Sequence, residues 1–362
     1  MSTVTLDPAA AAPPAPRRVS RITGSASFFP LIVLFGLNMA DEFDRTAFGV
    51  LLPEIRDHFR LDLAGVLALE ALAALGFLLL SVPLGHLADR SNRVRMATVG
   101  GAGWGIFAVL TGLAPAVAVL ALARVGSGLG RSVVEPTHNS LIADYYGIEV
   151  RTKVYGFHRA ANYVGRCLGP LLAGILAYLF GWRTPFIVFG IPTLIFVMLS
   201  LRMREPRRGV HEREAAGAGF EVATTDEVPP TFNEAARTLW QVRSLRRIWF
   251  ALPFFAASLI GFASIISIYY DEEFGLGEAE RGFLVAGTEA AAVLGLLVGI
   301  PLATRLARRD PGVLLRFLGV VACAIGAAFV LLSISPNLPM AVAMNALIVS
   351  GGALLTPAVY AR

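Results

Sequence analysis

Apolar segments of about 20 residues recur along almost the whole chain, and this repetition limits the fold more than any other feature. Each is long enough to cross a hydrocarbon layer about 30 Å thick as a helix. In lipid no water serves the backbone N–H and C=O groups, so such a segment must satisfy them internally. Ten spans are expected, at about 28–52, 63–84, 96–114, 116–142, 155–179, 184–202, 248–270, 281–304, 314–334 and 338–359. Only 16% of the 362 residues are charged, against about 25% in soluble domains. The fold class is therefore an all-α integral membrane protein.

The formal net charge is +5, and Lys153 is the only lysine. Nucleic-acid binding would need the arginines gathered on one exposed face, but they sit between the spans. With the N-terminus inside, the inner loops carry Arg90, Arg93 and Arg95, then Arg151 and Lys153, the basic 202–247 stretch, and Arg305, Arg308 and Arg309. The outer loops hold Arg56, Arg60, Arg183, Arg281 and an acidic 271–280 segment. This matches the rule that positive charge stays inside. It predicts a multi-pass protein of the cell inner (plasma) membrane with a cytoplasmic N-terminus. Residues 1–24 are polar and Ala/Pro-rich, with no apolar core before a cleavage site, and read as a disordered cytoplasmic tail. Cys167 and Cys323 lie inside apolar stretches, so no disulfide, metal or cofactor is expected.

A hydrophilic stretch at 204–247 separates a six-span bundle, 25–203, from a four-span bundle, 248–362. Within it, 231–249 sets Phe232, Ala236, Leu239 and Trp240 at helical spacing among basic residues. That pattern suits an amphipathic helix on the inner interface, or a solvated linker helix. The halves also repeat. Glu70 precedes Leu87-Ala88 by 17 residues, and Glu289 precedes Leu306-Ala307 by 17. Gly130 stands six residues before Pro136, and Gly351 six before Pro357. Spans 7–10 therefore read as a second copy of spans 1–4. A six-plus-six arrangement would put two more spans after Arg362, so a truncated twelve-span fold is expected.

Charges inside a membrane are costly and usually face a cavity or a counter-charge. Asp41 and Arg45 are four apart in span 1 and can pair. Arg124, Gly128, Arg131, Glu135 and His138 form a stripe on span 4; Arg159, Asn162, Arg166 and Gly169 form another on span 5. The second half offers only Glu289, Tyr269, Tyr270 and Asn345. This asymmetry assigns the charged substrate group and the coupling site to the first half. Blander roles compete: Arg131 can serve only to neutralise Glu135, Arg124 can snorkel to the span end, and Arg90, Arg93 and Arg95 suit topology anchors. The glycines at 126, 128 and 130 lie within a span and suit close helix packing rather than a phosphate loop. No nucleophile–base pair or metal cluster stands out, so an enzyme is not expected.

Four motifs carry a resemblance. Gly85-His86-Leu87-Ala88-Asp89-Arg90-Ser91-Asn92-Arg93-Val94-Arg95 follows span 2, and it is similar to the signature loop of the major facilitator superfamily. Asn92 replaces the family's glycine, and asparagine tolerates a left-handed turn. The resemblance implies that Asp89 faces the N-terminus of an eleventh helix and that Gly85, Asp89, Arg90 and Arg93 gate the transporter. Asn38, Asp44, Arg45 and Pro53 of span 1 resemble the anion:cation symporter and spinster-like lipid transporter branches, with a longer spacing between Asn38 and the Asp44-Arg45 pair. Arg124, Gly128 and Gly130 resemble the fourth-helix motif. Arg131 stands where those branches usually have glutamate, and Glu135 lies one turn on. Gly165, Gly169, Pro170 and Gly174 are similar to the fifth-helix antiporter motif, with Ala173 breaking its last glycine pair; packing and a kink are their expected role.

The resemblance implies secondary active transport by alternating access, of a small or amphipathic organic anion, coupled to protons or another ion. Arg45, Arg131, Asn38, Asn162, Arg166 and Tyr269 would contact substrate; Asp41, Asp44 and Glu135 would carry protons. The protein would work as a monomer among membrane lipid, without nucleic acid. The alternatives are a drug or lipid exporter of the same superfamily and a truncated, non-transporting membrane protein.

Overall fold

The computed structural model describes residues 20–217, 231–309 and 311–360. Most of the expected N-terminal tail and the Pro229-Pro230 pair lie outside them. The described residues form helices and connecting turns, with a helix at each expected span position. Spans 1 to 6 are Phe29–Val50, Leu63–Arg90, Arg93–Leu113, Val117–Arg131 with Val134–Tyr145, Ile148–Phe180 and Thr184–Ser200. Spans 7 to 10 are Arg243–Phe274, Glu278–Arg309, Pro311–Ser333 and Leu338–Tyr360. Among the described residues, spans 3, 4, 5, 8 and 9 are long and apolar enough to cross a membrane by composition alone. Span 1 is not so apolar, since it carries Asp41, Glu42, Asp44 and Arg45.

Local chemistry explains the interruptions. Span 4 breaks at Ser132-Val133. Pro136 lacks the N–H that would bond the Ser132 carbonyl, and its ring crowds that turn. The expected stripe from Arg124 to His138 is therefore split between two helices. Asn92 does not adopt the left-handed turn its chemistry permits. Its backbone is extended (φ −70°), and its side chain accepts from the Arg95 N–H at 2.8 Å as an N-cap of span 3. Arg208 donates to the carbonyls of Ala88, Asp89 and Ser91. A helix C-terminus leaves such carbonyls unpaired, and a cation there is favourable.

The expected 231–249 helix is two helices. Phe232–Gln241 opens with a Thr231/Glu234 capping box, Val242 is extended, and span 7 begins at Arg243. Phe232, Leu239 and Trp240 are exposed along the short helix, and the Phe232 ring meets His86 edge-on at 5.5 Å.

Three apolar clusters hold the bundle. One, around Phe48, Leu52, Phe186 and Trp182, is mostly of the first half and takes in Ile268 of span 7; another, around Leu34, Trp104, Leu141 and Tyr146, lies in the first half. The third, around Ile266, Tyr270, Ile325 and Ile348, holds spans 7, 9 and 10. Small residues let backbones touch where spans cross. A Cβ on Gly165 would stand 2.5 Å from the Glu42 Cβ, and one on Gly169 would stand 3.3 Å from the Phe43 Cα. Between the halves, a Cβ on Gly174 of span 5 would stand 2.5 Å from the Glu278 carbonyl at the start of span 8.

Candidate functional site

Span 1 organises the polar interior, because its run from Asp41 to Arg45 turns about 100° per residue. Asp41 and Asp44 fall toward span 4; Glu42 and Arg45 fall toward spans 5 and 8. The two faces build two different sites.

The first site is closed. Arg131 bonds Asp41 through its Nε, and its Nη2 reaches Asp44 Oδ2 at 3.3 Å. The same oxygen takes Arg124 Nη1 at 3.2 Å and the Ser127 hydroxyl at 3.3 Å. The Arg124 guanidinium also lies 3.9 Å over the Phe48 ring. Arg124 is 1% exposed and Asp44 1%. Asp41 thus pairs with Arg131 and not with Arg45 four residues on. Arg124 does not snorkel to the span end. Arg131 neutralises these aspartates; the Glu135 side chain lies outside the described residues. Asp44 Oδ1 is buried without a hydrogen-bond partner.

The second site is open. Asn38 donates to the Asn162 side chain and to the His158 carbonyl at 3.3 Å, and Asn162 donates to Glu42 Oε1 at 3.1 Å. Arg45 stands 3.9 Å from Glu42. Arg166 stands 3.9 Å from Glu42 and 3.5 Å from Glu289 of span 8. The side chains of Arg45 and Arg166 are each 35% exposed, against 17% for Arg131 and 2% for Arg124. Sequence reasoning placed Glu289 among the polar groups of the second half but did not single out Glu42. The three-residue spacing of the 41/44 and 42/45 pairs is the signal that separates Glu42 from its neighbour.

The second half contributes a neutral cluster. Asn345 donates to the Tyr270 hydroxyl at 3.0 Å and to Thr288 at 3.4 Å, all three buried. Tyr269 is not in this cluster, since its hydroxyl bonds the Leu332 carbonyl at 2.9 Å.

Charged clusters mark both ends of the bundle. At one end the 1%-exposed Arg281 bonds Glu54, Asp271 at 2.9 Å and the Leu276 carbonyl at 2.7 Å. Arg56 reaches Asp271 and Glu272, and Ser267 donates to the Val50 carbonyl at 2.6 Å. These bonds tie the end of span 1 and the short helix Leu52–Phe59 that follows it to spans 7 and 8. At the other end Arg93, buried to 1%, holds Asp144, Glu205 at 2.7 Å and the Ser140 hydroxyl at 2.6 Å. Asp89, Arg90 and Arg95 of the same loop are exposed. Gly85 packs loosely toward Pro136, Gly128 is buried, and Arg159 stands 3.5 Å from Asn139. Among the described residues, no group of three His, Cys, Asp or Glu is arranged to hold a metal.

An apolar cavity of about 620 Å³ lies between spans 2, 3 and 4, lined by Leu80, Leu84, Val99, Phe107 and Leu129, with Arg95 among its lining residues.

The family model described as Major Facilitator Superfamily matches residues 34–361. The chain is 27% identical over 174 residues to the probable L-galactonate transporter of Escherichia coli (strain K12), covering 48% of this chain and 38% of that one. It is 26% identical over 266 residues to multidrug resistance protein 1 of Bacillus subtilis (strain 168), covering 71% and 61%. The chain thus spans less than two thirds of either relative. Its fold is similar to the crystal structure of a bacterial homolog of the human lysosomal transporter Spinster, inward-facing and unoccupied. There the TM-score is 0.72 and the identity 26%, covering 91% of this chain and 74% of that one.

Proposed function

This chain belongs to the Major Facilitator Superfamily, and from that premise we propose that it carries a small organic anion across the membrane by alternating access. The observation that carries this reading is the contrast among its arginines. Arg124 and Arg131 are already held by two aspartates. Arg45 and Arg166 face open space with carboxylates at 3.5–3.9 Å, beyond close hydrogen-bonding range. Two loosely held guanidiniums on facing spans can close on a carboxylate that enters between them, which fixes both charge and orientation. Asn38 and Asn162 add neutral polar groups beside it. The L-galactonate transporter is so named for a sugar acid, in keeping with this chemistry.

In this reading, Arg131 positions Asp41 and Asp44 rather than touching substrate. Those aspartates and Glu135 exchange protons. The N-terminus lies in the cytoplasm, the membrane is the inner (plasma) membrane, and the working unit is a monomer. The ties between span 1 and spans 7 and 8 close the outer side, so substrate enters from the cytoplasmic side in this conformation.

The test is thermal stabilisation of the purified chain in detergent by L-galactonate. A ligand that binds only the folded state raises the melting temperature. Stabilisation that disappears in both Arg45→Ala and Arg166→Ala supports the anion carrier. One observation favours a second reading, an exporter of amphiphiles: the apolar cavity between spans 2, 3 and 4. Stabilisation by tetraphenylphosphonium that ignores both substitutions would replace the first reading with the second.

A further inference from the structure

The ion pair between Arg166 and Glu289 joins the two halves at mid-depth. The Gly174–Glu278 crossing lies eight residues from Arg166 along span 5, and Gly282 meets the Pro170 carbonyl seven residues before Glu289. The pair thus lies four to eight residues along span 5 and seven to eleven along span 8 from this tight crossing, about 6–16 Å further into the bundle at ~1.5 Å per residue. Glu289 is 13% exposed and Glu42 is 6%, and each has a buried Oε2 without a hydrogen-bond partner. One guanidinium thus stands between two carboxylates of different halves and binds neither closely. Such an arrangement is bistable: the arginine can settle on either acid, or on a third that enters.

We propose that Glu289 is a proton-exchanging group of the transport cycle and that Arg166 is the counter-charge it releases to the anion. When Glu289 takes up a proton, its carboxylate becomes a neutral acid and the Arg166–Glu289 ion pair across the halves is lost. The Arg166 charge is then compensated by the carboxylate of the incoming anion. When the anion leaves, the proton leaves Glu289 and the ion pair forms again. One proton and one negative charge travel together, so the step is electroneutral. The groups that face Glu289 are Arg166, Tyr163 and Cys167 of span 5 and Glu42 and Arg45 of span 1. Of these, only Arg166 stands within ion-pair reach of it. Glu42 keeps its bond to Asn162 throughout and holds Arg166 near the site when Glu289 is neutral.

This inference rests on the anion-carrier reading for its substrate but not for its proton, and two measurements separate them. The first needs no ligand. Nitroxide labels on Lys153→Cys and Arg305→Cys, both exposed and one on each half, report the separation of the halves in a Cys167→Ala, Cys323→Ala background. The distance distribution should differ between acidic and alkaline pH. Glu289→Gln should fix the acidic distribution at both, and Glu289→Asp, which keeps a carboxyl, should keep the pH response. The second measurement is L-galactonate binding by thermal shift. Affinity should fall about tenfold per pH unit once Glu289 is ionised, and Glu289→Gln should remove that dependence. A Glu289→Gln protein whose distances and binding titrate like the parent overturns the proposal. A Glu289→Gln protein that loses the distance response, with no L-galactonate binding to any variant, upholds the proton switch and overturns the anion-carrier reading.

Discussion

The two halves of the molecule are filled with different chemistry. In the first half, spans 1 and 4 bury two aspartates and two arginines against one another. In the second, spans 7, 8 and 10 bury a tyrosine, a threonine and an asparagine with no net charge. The two differ because each bundle only has to satisfy its own buried polar atoms. Removing one member of a buried ion pair leaves an uncompensated charge, whereas removing one member of a neutral cluster leaves an unpaired dipole. The first half is therefore the more fragile to single polar substitutions, and the second the more tolerant.

The comparison breaks most directly at Asp44, which serves Arg124, Arg131 and Ser127 through one oxygen. Asp44→Ala should cost about 3–5 kcal/mol in an unfolding titration. A loss below about 1 kcal/mol would show that water reaches Arg124 and that the first half is not closed. In the second half, Asn345→Ala strands the Tyr270 hydroxyl, while Thr288 keeps its bond to the Val285 carbonyl, and should cost about 1–3 kcal/mol by the same assay. A cost equal to that of Asp44→Ala would erase the contrast.

Gly282→Ala probes the seam between the halves, where the new methyl meets the Pro170 carbonyl. Overpacking of about 1–3 kcal/mol is expected. Labels across the halves should also report a wider separation at the Arg281 end, and an unchanged distance would mean that the seam yields elsewhere. The smallest effect on stability belongs to Arg45→Ala. This arginine is 35% exposed and 3.9 Å from its carboxylate, so the change should be within about 1 kcal/mol. Its consequence should appear in L-galactonate binding instead.

The motif residues show where reading the chain stopped. Asp41, Arg45, Arg131 and Arg166 were visible as charges in apolar spans, because their cost in lipid is a property of position alone. Their pairing was not visible. Asp41 and Arg45 suit each other by spacing, yet Arg131 from span 4 takes Asp41, and Arg45 turns to Glu42. Glu42 was hidden among three charged neighbours, and Tyr270 stood beside Tyr269 with nothing local to separate them. A rotation of about 100° about a helix axis decides each case, and only packing against a second helix sets that rotation.

By itself the sequence determined that this chain is a bundle of membrane helices and where those helices lie. Hydrophobic length and backbone hydrogen bonding are local demands, met within each segment, and so can be read from that segment alone. Tertiary structure decided which carboxylate meets which arginine. It closed Asp41 and Asp44 onto span 4, left Arg45 and Arg166 facing open space, and brought Glu289 from the other half to within 3.5 Å of Arg166. Ion pairing falls off over a few ångströms, and those distances exist only once the helices have packed.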